Sequence, residues 1–219
     1  MEKSFNGKTV VLTAGPTYEP IDPVRFIGNH STGKMGFAIA ECFAQHGAKV
    51  QLVAGPTNMK AQHESITVIH VTTADEMYAA VKNLAPSADI WVFAAAVADY
   101  KPKVVADRKI KKAGAELTIE LVKNVDIAAA LGKEKRDDQF AVGFALETDN
   151  EDSNAREKLQ KKNLNMIVLN SLNDPGAGFK HDTNKITIIE RESTTAFELK
   201  QKSEVAQDIV KLIWDRLYA

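Results

Sequence analysis

The sequence predicts an α/β fold with a mostly parallel, doubly wound, Rossmann-like sheet. Short runs of β-branched residues alternate with helical patterns along the 219 residues, and parallel strands need helical crossovers of this kind. The composition, 44% hydrophobic and 26% charged, is enough for a sizeable core and excludes a disordered chain. We expect one domain over residues 1–219, a strand order of the 3-2-1-4-5-6 kind, and a small hairpin or flap elaboration at about 101–123.

The first half of the chain alternates strands with helices. A strand is predicted at 8–13, and the loop that follows contains three prolines, which forbid a helix. A helix begins near Gly33, because apolar residues then recur at spacings of three and four, and Gly47 is a natural helix stop. Thr73 and Glu76 form a capping box for the next helix. Further strands are predicted at 50–54, 66–71 and 90–94.

The second half contains the predicted elaboration. Residues 101–123 are hairpin-like, with RKIKK and ELTIELVK on either side of a small turn at 113–115. Regular alternation then resumes. The predicted elements are a helix from about 125, a strand at 140–146, a polar helix near 151–162, a strand at 166–169, a hairpin of KITIIE and TAFELK, and a C-terminal helix with one apolar face.

Charge and cysteine content exclude several classes of partner and location. The 28 basic and 29 acidic residues nearly cancel, so no global field attracts nucleic acid or an anionic membrane. The single cysteine, Cys42, falls on the apolar face of the first helix and is expected in the core. The longest apolar run, 90–98, is far shorter than the roughly 20 residues that span a bilayer, and the N-terminus has no signal-peptide apolar region. We expect a cytoplasmic protein.

The segment GNHSTGKMG, residues 28–36, imitates a phosphate-binding loop. Gly28, Gly33 and Lys34 match G-x-x-x-x-G-K, but Met35 stands where a Ser or Thr hydroxyl would hold magnesium. A Walker-type nucleoside triphosphatase is therefore disfavoured. A helix N-terminus is nevertheless an anion site, because its first amides are unpaired and the helix dipole favours negative charge.

The expected strand order brings a second segment to the same place. The first and fourth strands are neighbours at the switch point, so the loop after Thr13 and the sequence AAAVADY, residues 94–100, face each other across one crevice. Three alanines suit a backbone that approaches a ligand closely and presents its amides. Alternatively, these alanines only pack under a helix.

Six motifs carry a family resemblance. TAGPT, DPVRFIGNHSTGKMG, AAAVADY, KIKK, KNVDI and GFALET occur in the order and spacing of bacterial phosphopantothenoylcysteine synthetase, also called phosphopantothenate-cysteine ligase. The chain resembles that family over nearly its whole length. In most bacteria the enzyme is the C-terminal half of a bifunctional protein that begins with a flavin-dependent decarboxylase. The resemblance implies a coenzyme A biosynthesis ligase that joins 4'-phosphopantothenate to L-cysteine through an acyl-cytidylate, converting CTP to CMP and pyrophosphate.

The resemblance also implies two catalytic residues. Lys109 matches the lysine of a mobile flap, a compact charge that can follow the phosphate during reaction. Asn29 matches the position that contacts the acyl group, where a neutral amide can donate to the carbonyl oxygen as negative charge develops. Each has an alternative. Lys109 can be part of a solvated charged face, and Asn29 can cap the following helix in competition with Ser31 or Thr32.

Further site residues are implied by the same resemblance. Val125 departs from the family, which commonly has proline there, and Leu146 replaces a usual alanine. Lys158 and Lys162 can instead offset the dipole at a helix C-terminus. The expected nucleotide-binding set is Ala94, Ala95, Asp99, Lys109, Val125, Asp126, Ile127, Ala128, Phe144, Lys158 and Lys162. The expected substrate-binding set is Gly28, Asn29, Ser31, Ala95 and Ala96.

Expected cofactors and partners complete the hypothesis. Mg²⁺ accompanies the triphosphate, and without a dense carboxylate cluster the ion is held mainly by phosphates, with Asp99 a possible contact. The five histidines show no metal-ligand spacing. We expect 4'-phosphopantothenate, CTP and L-cysteine as partners, a homodimer because members of the resembled family are homodimers, and no nucleic acid or membrane.

Two other functions remain open at this stage. A nicotinamide-dependent oxidoreductase on the same fold needs a G-x-G-x-x-G turn and an acidic residue after the second strand. The chain has AGPTYEP at the first place and Val53-Ala54-Gly55 at the second. A non-catalytic nucleotide-binding module is the other alternative, and only Lys109 and Asn29 argue against it.

Overall fold

Within the residues that the structure describes, eight strands form one sheet. The computed structural model describes residues 4–112, 114–147, 149–171 and 181–218. The strands are β1 Thr9–Ala14, β2 Lys49–Ala54, β3 Ile66–His70, β4 Ile90–Phe93, β5 Phe140–Glu147, β6 Met166–Ser171, β7 Ile186–Glu190 and β8 Thr194–Ala196. Their order across the sheet is β8-β7-β6-β5-β4-β1-β2-β3, which confirms the predicted 3-2-1-4-5-6 order. Strands β1 to β6 run parallel to one another, whereas β7 is antiparallel to β6 and β8 is antiparallel to β7.

Helices cover both faces of this sheet. Side chains of successive strand residues point to opposite faces, so each face has its own apolar side chains. Leu12 packs in the core on the side of α1 and α5, while its neighbour Val11 packs on the side of α2 and α3. A third cluster lies under α4. The helices are α1 Lys34–Gln45, α2 Ala74–Leu84 with a 3₁₀ turn Ala85–Ser87, α3 Ile127–Gly132, α4 Glu151–Lys161 and α5 Lys202–Tyr218.

Local signals in the sequence set most helix ends. The capping box of Thr73 and Glu76 is present in full. Gly47 follows α1 with a φ of +88°, a conformation that L side chains rarely adopt, which confirms the predicted stop. Cys42 is buried, and burial raises the pKa of its thiol to about 11, as expected of a core residue. Among the described helices, none is long and apolar enough to cross a membrane.

Three short antiparallel ribbons extend from the sheet. They are Tyr18–Pro20 with Phe26–Gly28, Tyr100–Pro102 with Leu121–Lys123, and Thr183–Asn184 with Lys200–Gln201. The final predicted hairpin is confirmed only in part: β7 pairs with β8, but Lys200 pairs with Asn184 instead of extending β8.

The predicted hairpin at 101–123 is wrong in its arms. Only the ends pair, at Tyr100–Pro102 and Leu121–Lys123. The described residues between them, 103–120 without Ala113, which lies outside the described residues, form no strand; this segment is called the flap below. The physical reason is visible at Ile110, whose backbone N–H and C=O bond to the side chains of Asp22 and Arg25 and not to a second strand.

Candidate active-site cleft

A cleft of about 770 Å³ opens at the carboxyl ends of β1, β4 and β5. Ligands of open α/β sheets bind at such a place, where the strand order reverses. Most of the predicted site residues line it, although they come from separate segments of the chain. They are Asn29, Ser31, Ala94, Ala95, Ala96, Asp99, Val125, Asp126, Ile127, Ala128, Phe144, Lys158 and Lys162.

The floor of the cleft is residues 94–98, and it is tied to the loop after β1. The Ala96 amide donates to the carbonyl oxygen of Gly15 at 2.9 Å. The Ala95 amide donates to Thr13 Oγ1 at 3.2 Å and the Ala98 amide to Thr17 Oγ1 at 3.0 Å. The two segments face each other as predicted. The expectation that Ala94, Ala95 and Ala96 present their amides to a ligand is wrong for Ala95 and Ala96, because their amides already donate within the protein.

Asn29 joins the same floor from the other side. Its Nδ2 donates to the carbonyl oxygens of Ala96 at 3.0 Å and Val97 at 3.2 Å. It does not cap α1: the N-cap is Gly33, without a side-chain bond, and Ser31 Oγ accepts from the Gly33 amide at 3.3 Å. The capping alternative for Asn29 is therefore wrong. Both hydrogens of its amide are engaged with the floor in this structure.

Gly28 does not line the cleft in the described part of the chain, but its lack of a side chain positions Asn29. A Cβ at Gly28 would lie 2.7 Å from the Tyr18 ring and 2.8 Å from the carbonyl oxygen of Thr17. Only glycine lets the ribbon Tyr18–Pro20 and Phe26–Gly28 close this tightly. A substrate contact by Gly28 stays a prediction.

One end of the cleft is built on α3 and α4. Asp126 is the N-cap of α3, accepting from the Ala129 amide at 3.0 Å, so this helix begins at Ile127, two residues later than the predicted start at about 125. Lys162 Nζ lies 2.9 Å from Asp126 Oδ2. Lys158 is paired with Glu147 on β5. Both lysines thus line the cleft and have a carboxylate partner. Their role is therefore not limited to offsetting the helix dipole.

The opposite end contains cleft residues that sequence reasoning missed. Lys34, at the start of α1, is paired with Asp182, and the Asn184 amide donates to Asn170 Oδ1 at 3.0 Å. Lys202 is buried, and burial, together with nearby Lys34, lowers the pKa of its ammonium. The phosphate-loop-like motif marked Lys34, but no local pattern marks Asn170, Asn184 or Lys202, which come from distant segments of the chain.

Lys109 lies outside this cleft. It is exposed and is not among the described residues that line the cavity. Its neighbour Ile110 is fixed by two backbone hydrogen bonds, from its N–H to Asp22 Oδ2 at 3.1 Å and from Arg25 Nη2 to its C=O at 3.0 Å. Asp22 and Arg25 belong to the motif DPVRF, which is visible in the sequence. The sequence does not reveal that their partner is Ile110.

The cleft is compatible with a divalent cation bound together with a phosphate. Asp99 and Asp126 are its two lining carboxylates, and no group of three or more His, Cys, Asp or Glu within the described ranges could hold a metal. Mg²⁺ is commonly bound by one or two carboxylates plus substrate phosphates. The donor set therefore fits a phosphate-held ion better than a dedicated metal cage.

Fold and cleft together define a Rossmann-like α/β protein with its ligand site at the switch point of the sheet. Residues 5–217 match the DNA/pantothenate metabolism flavoprotein C-terminal domain family. The chain belongs to this family.

Known relatives agree with this assignment. The chain is 45% identical to the coenzyme A biosynthesis bifunctional protein CoaBC of Haemophilus influenzae, over 98% of the chain and 53% of the relative. It is 53% identical to a cysteine/cysteine sulfinic acid decarboxylase from an unidentified prokaryote, over 97% of the chain and 59% of the relative. The chain thus spans little more than half the length of these relatives. The crystal structure of the C-terminal domain of CoaBC superposes with a TM-score of 0.83 at 40% identity, covering 99% of this chain and 98% of that one.

Proposed function

We propose that this chain, acting as one domain over 1–219, is a CTP-dependent phosphopantothenate-cysteine ligase of coenzyme A biosynthesis. One observation carries the proposal: the residues that the family resemblance assigns to CTP and phosphopantothenate line a single cleft, with the exception of Gly28 and Lys109. The 40% identity to the C-terminal domain of CoaBC over almost the full length of both chains supports it.

The reaction needs cations and a positioned donor. The carboxylate oxygen of phosphopantothenate attacks the α-phosphorus of CTP, and pyrophosphate leaves. The cysteine amine then attacks the acyl carbon of the mixed anhydride, loses a proton, and CMP leaves. Negative charge develops first on the phosphoryl oxygens and then on the acyl oxygen, so a fixed cation and a neutral hydrogen-bond donor stabilise different steps.

We assign the two ends of the cleft to different substrates. The nucleotide lies at the end built by residues 125–128, Phe144, Lys158 and Lys162. Phosphopantothenate lies towards Asn29 and Ser31, where the N-terminus of α1 favours an anion. Lys34 and Lys202 add positive charge at that end. Asp182 lies beside Lys34 and reduces this charge, so the ammonium of buried Lys202 is important for the balance.

Two of the assigned groups must rearrange when substrates bind. The Asn29 amide releases one of its bonds to the floor to donate to the acyl oxygen. Lys109, exposed on the flap, moves its long side chain into the cleft to reach the phosphates. A lysine suits this task because its charge is compact and its stem is flexible.

Mg²⁺ is the expected cofactor in this proposal. Asp99 is exposed at the cleft rim and Asp126 lines the nucleotide end, so either carboxylate would hold the ion together with the triphosphate. When bound, the ion neutralises phosphate charge. A cytoplasmic setting follows from the substrates, because L-cysteine with a free thiol persists in a reducing compartment.

A homodimer is also part of the proposal. Large exposed apolar side chains in the described residues gather on the ribbon at 24–26 and on the flap with its flanks, and clusters of this kind mark interaction surfaces. A second copy of the chain covers this surface. Its members are Val24, Phe26, Tyr100, Val104, Val105, Leu117, Leu121 and Val125. Sedimentation of the wild type and of Leu117→Asp tests it: the wild type should be dimeric and the variant monomeric, and a monomeric wild type would exclude it.

The decarboxylase name of one relative does not redirect the proposal. The chain spans 59% of that relative, and the rest of the relative has no counterpart in this sequence. The decarboxylase activity in that relative's name is a property of the longer protein, whereas CoaBC is named as a bifunctional protein.

The deciding experiment mixes the protein with CTP, 4'-phosphopantothenate, L-cysteine and Mg²⁺. We expect pyrophosphate and phosphopantothenoylcysteine in equal amounts, each dependent on CTP. Omitting cysteine should allow at most one pyrophosphate per active site. Absence of CTP-dependent pyrophosphate would exclude the ligase, and enhanced NAD(P)H fluorescence on adding protein would then favour an oxidoreductase.

A further inference from the structure

An ion pair between buried Asp22 and partly exposed Arg25 connects the flap to the loop that carries Asn29. The Asp22 side chain is fully buried, and its Oδ1 accepts from the amides of Val24 and Arg25, each at 2.9 Å. Its Oδ2 accepts from Arg25 Nε at 3.0 Å and from the Ile110 amide at 3.1 Å. A carboxylate with this many donors is rigidly oriented, since each bond fixes a different direction in space.

Asp22 and Arg25 together bind both the backbone N–H and the backbone C=O of the flap residue Ile110. While Asp22 accepts from the Ile110 N–H, Arg25 Nη2 donates to the Ile110 C=O at 3.0 Å. One more bond supports the contact, from the Ala106 amide to the carbonyl oxygen of Ile21 at 3.0 Å. The contacts join residues 85 to 88 positions apart in the sequence. The side chains thus replace the neighbouring strand that the flap lacks.

This contact lies between the two residues expected to act in catalysis. Arg25 directly precedes the ribbon strand Phe26–Gly28, which ends next to Asn29. Ile110 directly follows Lys109. A path of bonded groups therefore runs from the cleft floor through Asn29, the ribbon and Arg25 to the backbone beside Lys109.

We infer that Asp22 and Arg25 are positioning residues that clasp the flap at Ile110 and so hold the backbone of Lys109 in register with Asn29. With its backbone held in this way, Lys109 reaches the phosphates by a movement of its side chain and of the flap tip. The clasp acts through Lys109 and does not touch substrate. The inference about its effect on rate rests on the proposed ligase function.

The clasp persists across the neutral pH range. The Arg25 guanidinium bonded to Asp22 holds the pKa of that carboxyl well below its usual range. The carboxylate therefore stays charged at every pH at which the enzyme would work, and clasp variants should lower the rate without shifting its pH profile.

The first test does not depend on any enzymatic activity. Asp22→Asn removes the charge and replaces one of the two acceptor oxygens by an NH2 donor, so the side chain can no longer serve both the Val24 and Arg25 amides and the Ile110 amide. Arg25→Lys keeps the charge but removes the fork that bonds Asp22 and Ile110 together. Limited trypsin digestion of the full chain reports on cleavage after Arg108, Lys109, Lys111 and Lys112. We expect cleavage there to accelerate about tenfold or more in both variants, because proteolysis follows the population of the opened segment. Asp138→Asn, which breaks an Asp–Arg pair far from the flap, is the matched control and should leave the rate unchanged.

The second test asks whether the clasp works through Lys109. We expect Asp22→Asn to lower kcat for pyrophosphate formation about tenfold, as misplacement of a catalytic group does, with the KM for CTP nearly unchanged. Combined with Lys109→Ala, it should cause no further loss, because the two changes remove one function. Multiplying losses would overturn the inference, as would unchanged flap digestion in both variants at an unchanged melting temperature. If the wild type itself makes no pyrophosphate, the proposed function fails, and the digestion result still decides whether the clasp exists.

Discussion

The cleft floor and the flap are held in opposite ways. The floor, residues 94–98, is bonded through three amides to the end of β1 and the loop after it, and rests on buried strands. The flap, residues 103–120, is largely exposed and is anchored at its short terminal ribbon and at Ile110. Ligand-binding loops and lids come from the low-stability end of a fold. Under the proposed function, the floor would fix where substrates lie, while the flap would bring a charge that is needed only during reaction.

The largest effect is expected for Lys109→Ala, which tests the role of the flap. If the flap supplies the mobile charge, pyrophosphate formation should fall by about 10²–10³, as when one electrostatic contact to a transition state is removed. The melting temperature should not change, because Lys109 is exposed. Lys112→Ala, on the same flap, is the matched control and should stay within about twofold. Equal losses in the two variants would mean that the flap contributes only general positive charge.

The corresponding floor variant is Asn29→Asp. The carboxylate accepts where donation is needed, so amide formation should slow by about 10², the smaller loss expected of one missing donor. Cytidylate formation should slow less. Measuring pyrophosphate release and amide yield separately distinguishes the two steps. An equal loss in both would contradict the assigned role and favour a structural one, since Asn29 also bonds to the carbonyl oxygens of Ala96 and Val97.

For the free energy of unfolding, we expect the larger loss from a substitution in the packed core and the smaller one from a substitution on the flap. A Cβ on Gly36 of α1 would lie 2.6 Å from Ala14 Cβ on β1, so Gly36→Ala should lower the free energy of unfolding by about 1–3 kcal/mol through overpacking. Glu116→Ala on the exposed flap should change it by less than about 0.5 kcal/mol. Urea unfolding of both variants provides the comparison. A flap variant as costly as the helix variant would show that the flap is part of the cooperative core.

The smallest effect concerns the thiol of Cys42 on α1. Burial raises its pKa from 9.0 to about 11, so the thiol is protonated and shielded in the folded chain. Because the folded pKa is the higher one, its contribution to stability is complete below pH 9 and is lost as the pH rises towards 11. At pH 8 a disulfide reagent should label Cys42 only on unfolding, whereas Glu116→Cys on the exposed flap should be labelled at once. Fast labelling of native Cys42 would contradict this.

Most of the regular structure could be predicted from the sequence, because its signals are local. The capping box at Thr73, the stop at Gly47 and the strand order all follow from neighbouring residues and from the alternation of elements. The arms of the flap were mispredicted because RKIKK and ELTIE look like paired strands by composition. The structure satisfies the Ile110 backbone through side chains instead.

The candidate site likewise contains residues that local motifs predicted and contacts between distant residues that they did not. Motifs in the sequence pointed to residues that now line one cleft, from Asn29 to Lys162. They did not reveal Lys34 with Lys202, or Asp22 with Ile110, because these partners are separated by long stretches of chain. Nor did they indicate that the amides of Ala95 and Ala96 are already used.

The sequence by itself determined the α/β order, the switch-point location of the cleft and the family, since periodicity, caps and motifs are properties of short segments. Only the tertiary structure decided which groups are bonded to one another: Asn29 to the floor, and Asp22 and Arg25 to Ile110. The physical reason is that a hydrogen bond depends on distance and direction between atoms, and for residues 88 positions apart both are set by how the whole chain packs.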